Sequence, residues 1–315
     1  MNAVIEYILS IVITLETFFS LTPNLLGNVT SYTPENEGVL LNCAIVSDTH
    51  ADTNIFRDRT NKLRIAYAGI NESSEDIDVL LNIGDITNSG TRKDYRTQKQ
   101  LERRYIKAKH IVACMGNHDS WNESADPDYD EAVRLFLNYL KKKDINADKV
   151  YYSTVIKGYH FICLATESLD LHENTPVYSD TQLEWLDSEL TKAEESGLPV
   201  FVLSHMPVNG HNGISSSALP ARVGEILESH SAYGKPILFF SGHYHDFTPN
   251  IFDSEGNVYY INLPSLEYND DTEYDCNDKG GQGLTMEVYE NRIILKARNF
   301  ITDKWADGYR LEIDF

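Results

Sequence analysis

From about residue 40 onward, short apolar runs alternate with longer stretches in which apolar residues recur every three or four positions. The short runs have strand length and fall at 41–47, 79–83, 111–115, 150–156, 160–165, 200–203, 237–240, 258–261, 284–288 and 293–297. The longer stretches predict helices at 55–69, 93–109, 128–143, 181–195 and 221–228. In the third of these, Ala132, Leu135, Phe136 and Leu140 mark one face; in the fourth, Leu183, Leu186 and Leu190 do so, with Asp180 as N-cap. The first half thus runs β-α-β-α-β-α, an order that favours parallel strands. The last third is richer in strands, with a hairpin-like turn at Asp253-Ser254-Glu255-Gly256-Asn257, and no internal repeat interrupts the pattern. The expected fold class is α/β, in one domain spanning 40–315 after a segment of residues 1–39.

That leading segment carries a different pattern. Residues 7–15 are nearly continuously apolar, Phe18, Phe19 and Leu21 extend the run, and Glu6 and Glu16 interrupt it. It is too short to span a bilayer. Its length matches the apolar core of an export signal, yet no Lys or Arg precedes Arg57 and no A-x-A site follows. An atypical export signal, an interfacial anchor and a helix docked on the protein itself all remain open. Localisation therefore stands between the bacterial cytoplasm and export or membrane association, with peripheral membrane contact through residues 1–21 as one expectation. Residues 31–38 read as a linker.

Composition narrows the partners. With 42% hydrophobic residues the chain can build a sizeable core, and its formal net charge of -21 repels nucleic acid and anionic membranes at long range. Nucleic acid is not an expected partner. A phosphate substrate would need a locally positive site, which bound metals can create. The 92–109 stretch is the exception, with Arg92, Lys93, Arg96, Lys99, Arg103, Arg104, Lys107 and Lys109. On an acidic protein it reads as a solvated helix face, with a nucleic-acid patch as the alternative. Cys43, Cys114, Cys163 and Cys276 form no CxxC pair; the first three lie in strand-like runs and are expected as buried free thiols.

Five segments share one arrangement, an apolar run followed at once by metal-type ligands: Ser47-Asp48-Thr49-His50, Gly84-Asp85, Gly116-Asn117-His118-Asp119, Ser204-His205-Met206-Pro207 and Gly242-His243-Tyr244-His245. Ligands of open α/β sheets bind beyond the carboxyl ends of strands, so these ends are expected to converge on one pocket. Carboxylate, amide oxygen and imidazole donors fit Mn, Fe or Zn better than soft cations. Glycines at 84, 116 and 242 precede ligands, where tight turns need no side chain in the way.

The ordered set D-x-H, G-D, G-N-H-D, H and G-H-x-H resembles the signature of the calcineurin-like metallophosphoesterases, with every block present between residues 48 and 245. The resemblance implies a four-layer α/β/β/α sandwich and two divalent or mixed-valence ions. Asp48, His50 and His245 would bind the first ion, Asn117, His205 and His243 the second, and Asp85 would bridge them. His118 would touch the substrate or protonate the leaving group, with Asp119 orienting it. Asn88, His211 and Tyr244 are candidate substrate contacts. Two divalent cations against Asp48 and Asp85 leave a positive pocket, and the implied reaction is in-line attack on phosphorus by a hydroxide bridging the ions.

Departures from the pattern sort the branches. Purple acid phosphatases carry a tyrosine where this chain has Asn88, and protein Ser/Thr phosphatases carry Gly-Asn-His-Glu where it has Gly-Asn-His-Asp. Gly-Asp-Ile-Thr-Asn and Ser-His-Met-Pro look closer to the bacterial-type phosphodiesterases, which include class III cyclic-nucleotide phosphodiesterases. The expected activity is phosphodiester hydrolysis of a small phosphate ester. Phosphomonoesterase, nuclease and non-catalytic metal-binding module are the alternatives.

Overall fold

A computed structural model describes residues 38–53, 58–73, 76–121, 128–167, 177–214, 219–245, 252–267 and 280–315. The chain divides into two units, Met1–Thr33 and Pro34–Phe315, and the described residues all belong to the second. The apolar segment 1–21, His172 and Cys276 lie outside them. The localisation expectation is corrected: among the described residues no helix is long and apolar enough to cross a membrane.

Two six-stranded sheets form the centre. In the first, β1 (Leu41–Val46), β2 (Val79–Asn82) and β3 (His110–Ala113) run parallel, and β10 (Gln282–Val288), β11 (Arg292–Asn299) and β12 (Lys304–Asp314) continue from β1 antiparallel. In the second, β5 (Tyr159–Cys163), β6 (Val200–Leu203), β7 (Ile237–Ser241) and β9 (Val258–Asn262) run parallel. The hairpin partners β4 (Tyr152–Ile156) and β8 (Phe252–Glu255) close its edges antiparallel.

Strand alternation builds the layers. Cys43 and Ile45, with Leu81, Phe161, Phe201, Leu203, Leu238 and Phe240, form the core shared by both sheets. The alternate residues Ala44, Val46 and Leu80 turn outward onto α1 (Asp58–Ser73) and α2 (Arg92–Tyr105), against Leu63, Tyr67, Ile70 and Leu101. On the other side Ile162, Val200, Val202, Ile237 and Phe239 meet Leu183, Leu186 and Leu190 of α5 (Asp180–Glu194) and Val223 and Leu227 of α6 (Ala221–Ser229). Both faces of these strands are buried, which is why they read as continuous apolar runs. The result is the expected four-layer sandwich.

Several boundaries differ from the sequence pattern. The second helix stops at Tyr105 because Ile106 is extended and leads into β3. Ser179, not Asp180, caps α5, its hydroxyl accepting from the Gln182 amide at 3.1 Å. The short helix α3 (Asn117–Trp121) and the edge strand β12 carry too little periodicity to be found in sequence. Helix α4 (Tyr129–Lys141) buries Ala132, Leu135, Phe136, Tyr139 and Leu140, the predicted face plus one tyrosine. Cys43, Cys114 and Cys163 are buried and free.

Candidate metal centre

The loops after β1, β2 and β3 of the first sheet and after β6 and β7 of the second carry all five motif blocks. Backbone bonds lace the first two loops together: Asp48 N–H to Gly84 O at 3.1 Å, His50 N–H to Asp85 O at 2.9 Å and Ala51 N–H to Ile86 O at 3.0 Å. The two later blocks are tied in by His205, whose Nδ1–H donates to Ile83 O at 2.8 Å, and by the His243 amide, which donates to Asp48 Oδ2 at 3.2 Å.

Ligand atoms of Asp48, His50, Asp85 and His245 all lie within 4.8 Å of one another. His245 Nε2 is 2.9 Å from Asp48 Oδ1, and His205 Nε2 is 3.2 Å from Asp85 Oδ2. His50 Nε2 and His245 Nε2 are 3.1 Å apart, closer than two unprotonated ring nitrogens tolerate without a proton or cation beside them. The second half of the site holds one orphaned atom. Asn117 Oδ1 is buried without a hydrogen-bond partner, His205 Nε2 faces the Asp85 carboxylate, and the His243 ring stands edge-on to His205 at 5.4 Å. Since His205 Nδ1 carries its proton toward Ile83, its Nε2 is the nitrogen left for a ligand bond. The cluster of Asp48, His50, Asp85 and His245 therefore fits a cation on chemistry as well as on position, and Asn117, His205 and His243 offer further amide and imidazole donors.

Backbone strain marks the same residues. Among the described residues nine non-glycine positions have positive φ, and Asp48, His50, Asp85, His243 and His245 are among them. A left-handed conformation costs roughly 1–2 kcal/mol per residue, and such strain clusters where a site needs it. Close approach explains two of the glycines. A Cβ on Gly116 would sit 2.1 Å from Asp85 Oδ1, and one on Gly242 would sit 1.9 Å from Ser47 Oγ and 2.6 Å from Asp48 Oδ2. The third and fifth motif blocks thus touch the carboxylates of the second and first.

Electrostatics point the same way. Burial alone would push the Asp48 and Asp85 carboxyls up, yet the imidazoles around them hold both below the usual carboxylate range. Burial would likewise push His205 and His245 down, but the two carboxylates raise them to about 10 and about 9. Farther from a paired charge, burial wins and drives His50 down to about 3 and His243 to about 4. A pocket with two buried carboxylates calls for positive charge, and without metal it takes it as protons.

Around the ligands stands a frame the motifs did not show. Ser47 Oγ donates to Asp48 Oδ2 at 2.5 Å, turning the other oxygen toward His245. The backbone amide of His118 donates to Asp85 Oδ1 at 2.9 Å. The His118 ring is held by Asn88, whose carbonyl accepts from Nδ1–H at 2.7 Å, and lies edge-on to His50 at 4.6 Å. Asp119 was expected to orient His118. Instead its carboxylate accepts from the backbone amides of Ile86, Thr87 and Gly116, at 3.0, 2.9 and 3.0 Å, and from the Thr87 hydroxyl at 2.8 Å. It clamps two ligand loops together. Burial first, then the nearby Asp85 charge, raise its carboxyl to about 6.

The candidate substrate contacts separate. Asn88 sits in the pocket through its carbonyl, and the half-buried Tyr244 stands edge-on to His243 at 5.3 Å. His211 has other partners. It stacks on Tyr260 at 3.6 Å, with its ring nitrogens 3.3 Å from Glu228 and 3.4 Å from Asp253, none of which belongs to the ligand group.

A two-layered sheet core whose strand ends present paired carboxylates and imidazoles defines a dinuclear metallohydrolase framework. The model of the calcineurin-like phosphoesterases matches residues 41–247, and the chain belongs to that hydrolase family. It is 26% identical over 182 residues to a protein of Xenopus tropicalis named manganese-dependent ADP-ribose/CDP-alcohol diphosphatase, the match covering 58% of this chain and 46% of the relative. A Xenopus laevis protein of the same name is 26% identical over 126 residues, 40% of this chain and 33% of the relative. The matches thus span less than half the length of these curated relatives. Among solved structures, a dimetal phosphatase of Danio rerio superposes with a TM-score of 0.58 at 17% identity, covering 88% of this chain and 99% of that one. A purple acid phosphatase from yellow lupin seeds gives 0.59 at 14%, covering 90% and 55%. At these identities the likeness is one of fold.

Proposed function

We propose that the chain is a two-metal phosphoesterase that cleaves phosphodiester-type bonds in small molecules, diphosphate linkages included, and that residues 40–315 form its catalytic domain. The observation that carries this is the convergence of Asp48, His50, Asp85 and His245 within 4.8 Å, beside the orphaned Asn117 Oδ1 and with His205 Nε2 3.2 Å from Asp85. In this reading Asp48, His50 and His245 hold one cation, Asn117, His205 and His243 the other, and Asp85 is shared. When bound, two such cations supply a water of lowered pKa and a positive seat for phosphoryl oxygens. Manganese is the first choice, since the curated relatives are named for it; iron and zinc suit the same donors.

The protein's own groups complete the chemistry. With its Nδ1 proton held on the Asn88 carbonyl, His118 keeps Nε2 as the nitrogen that delivers a proton to the leaving oxygen. Because the amide of His118 binds Asp85, the acid on the turn after β3 is tied directly to the shared carboxylate on the β2 loop. Asp119 fixes that turn to the β2 loop, so its part is positioning. Asn88 and Tyr244 line the substrate side. Preference for a diester rests on a leaving group that needs such a donor, and on relatives named as diphosphatases.

The test strips the protein with chelator, restores Mn2+, and compares bis-p-nitrophenyl phosphate, p-nitrophenyl phosphate and ADP-ribose, with Asp85→Asn alongside. Turnover of the diester or ADP-ribose that the variant abolishes supports the reading. Faster monoester turnover removes the diester preference. Equal turnover by the variant, or none at all with Mn2+ shown to be bound, overturns it.

A further inference from the structure

The basic stretch that the sequence left as a solvated helix face forms one wall of a groove. Arg96, Lys99 and Arg103 line it from one face of α2, at spacings of three and four residues. Lys142 and Lys143, at the end of α4, line it opposite, and the concavity measures about 510 Å³. None of the candidate metal ligands borders it. Lys143 is already paired with the buried Glu102. Among the described residues Arg96, Lys99, Arg103 and Lys142 form no ion pair, on a chain whose net charge is -21.

We infer that this groove binds a triphosphate group, free or carried by a nucleoside. Four unpaired cations facing one concavity repel one another until an anion of several charges enters. Lys99 registers that repulsion: burial first, then Lys142, Lys143 and Arg96, hold its ammonium below the usual lysine range, against the pull of Glu102, which also lines the groove and pairs with Lys143. Arginine forks with lysine point charges suit phosphate oxygens better than isolated carboxylates. The volume lies within the ~300–1,000 Å³ of small-molecule pockets. The acidic surface beyond it disfavours a long polyanion such as nucleic acid. Ile106 and Ile111 supply an apolar wall, so a nucleoside triphosphate should bind more tightly than bare tripolyphosphate.

Calorimetric titration tests this on the full chain carrying Asp85→Asn, which keeps ligand from being consumed and frees the outcome from the catalytic proposal. Tripolyphosphate and ATP are each titrated into that protein and into the same protein with Lys99→Gln and Arg103→Gln added. Binding at the metal centre is common to both and cancels. The expected result is a loss of affinity of at least about tenfold in the groove variant, since two charge-assisted bonds are removed. A second pair, Arg96→Gln with Lys142→Gln, should show the same loss and guards against a local folding defect. Equal affinity in both proteins, no binding by either ligand, or tighter binding of a twenty-nucleotide oligomer overturns the inference.

Discussion

The metal centre and the α2–α4 groove hold opposite charge in opposite ways. At the centre, two buried carboxylates lie among imidazoles that balance them, on loops whose backbone is strained at Asp48, His50, Asp85, His243 and His245. In the groove, unpaired cations ride on unstrained helices and stand in or near water. A catalytic centre must fix its atoms before the substrate arrives, and rigid neighbours keep strained residues in place. A groove that only binds can leave long side chains loose and order them around the ligand. Substitutions should therefore be felt steeply in the first region and gradually in the second.

The largest effect is expected for Asp85→Asn. It removes the charge of the carboxylate proposed to be shared, and kcat/KM on bis-p-nitrophenyl phosphate should fall about a thousandfold or more. A drop under tenfold would erase the contrast. His118→Ala should cost about a hundredfold or more with a poorly leaving alcohol and far less with p-nitrophenolate, because only the former needs a donated proton. Equal losses on the two esters would remove the acid role. Gly116→Ala should cost about 1–3 kcal/mol of stability and much of the activity, because its Cβ meets Asp85 Oδ1 at 2.1 Å. Thermal unfolding with and without Mn2+ separates those losses.

Protons provide a finer probe. His205 and His245, raised to about 10 and about 9 from an ordinary 6.5, are charged at neutral pH in the metal-free protein. Their pairing with Asp48 and Asp85 stabilises that form fully below about pH 6.5, and the contribution fades as pH climbs through 9 and 10. Loading both sites at pH 7 should release about two protons, measurable in weak buffer, and metal affinity should rise with pH. Least affected should be catalysis in the Lys99→Gln, Arg103→Gln protein: kcat/KM within about twofold of the parent, while triphosphate binding weakens. A large fall in turnover would tie the groove to the centre and end the comparison.

The two regions also differ in how legible they were. Each ligand block sits at the end of an apolar strand, so the chain announces it locally, and the sheets had only to bring the ends together. What supports the ligands was hidden. Ser47 turns Asp48, the Asn88 carbonyl holds His118, and the contacts of Asp119 run to backbone amides 32 and 33 residues away. Backbone partners leave no trace in side-chain identity. His211 looked like a pocket residue because it follows His205 closely, but Tyr260, from a different strand, claims its ring. The groove was visible only as charge on one helix. Its second wall comes from residues some forty positions later, and concavity has no sequence pattern. The short α3 and the edge strand β12 escaped for lack of period, whereas the central strands, apolar on both faces, stood out.

The candidate ligands come from both sheets. Asp48, His50, Asp85 and Asn117 hang from the first sheet, and His205, His243 and His245 from the second. Elsewhere the sheets meet largely through apolar side chains, with the Tyr152 hydroxyl bonded to Ala113 and Lys157 paired with Asp78 as polar ties. A cation gripped from both sides would act as a clasp against shear. Pulled along its strands, the loaded sandwich should yield at higher force than the empty one, and yield abruptly.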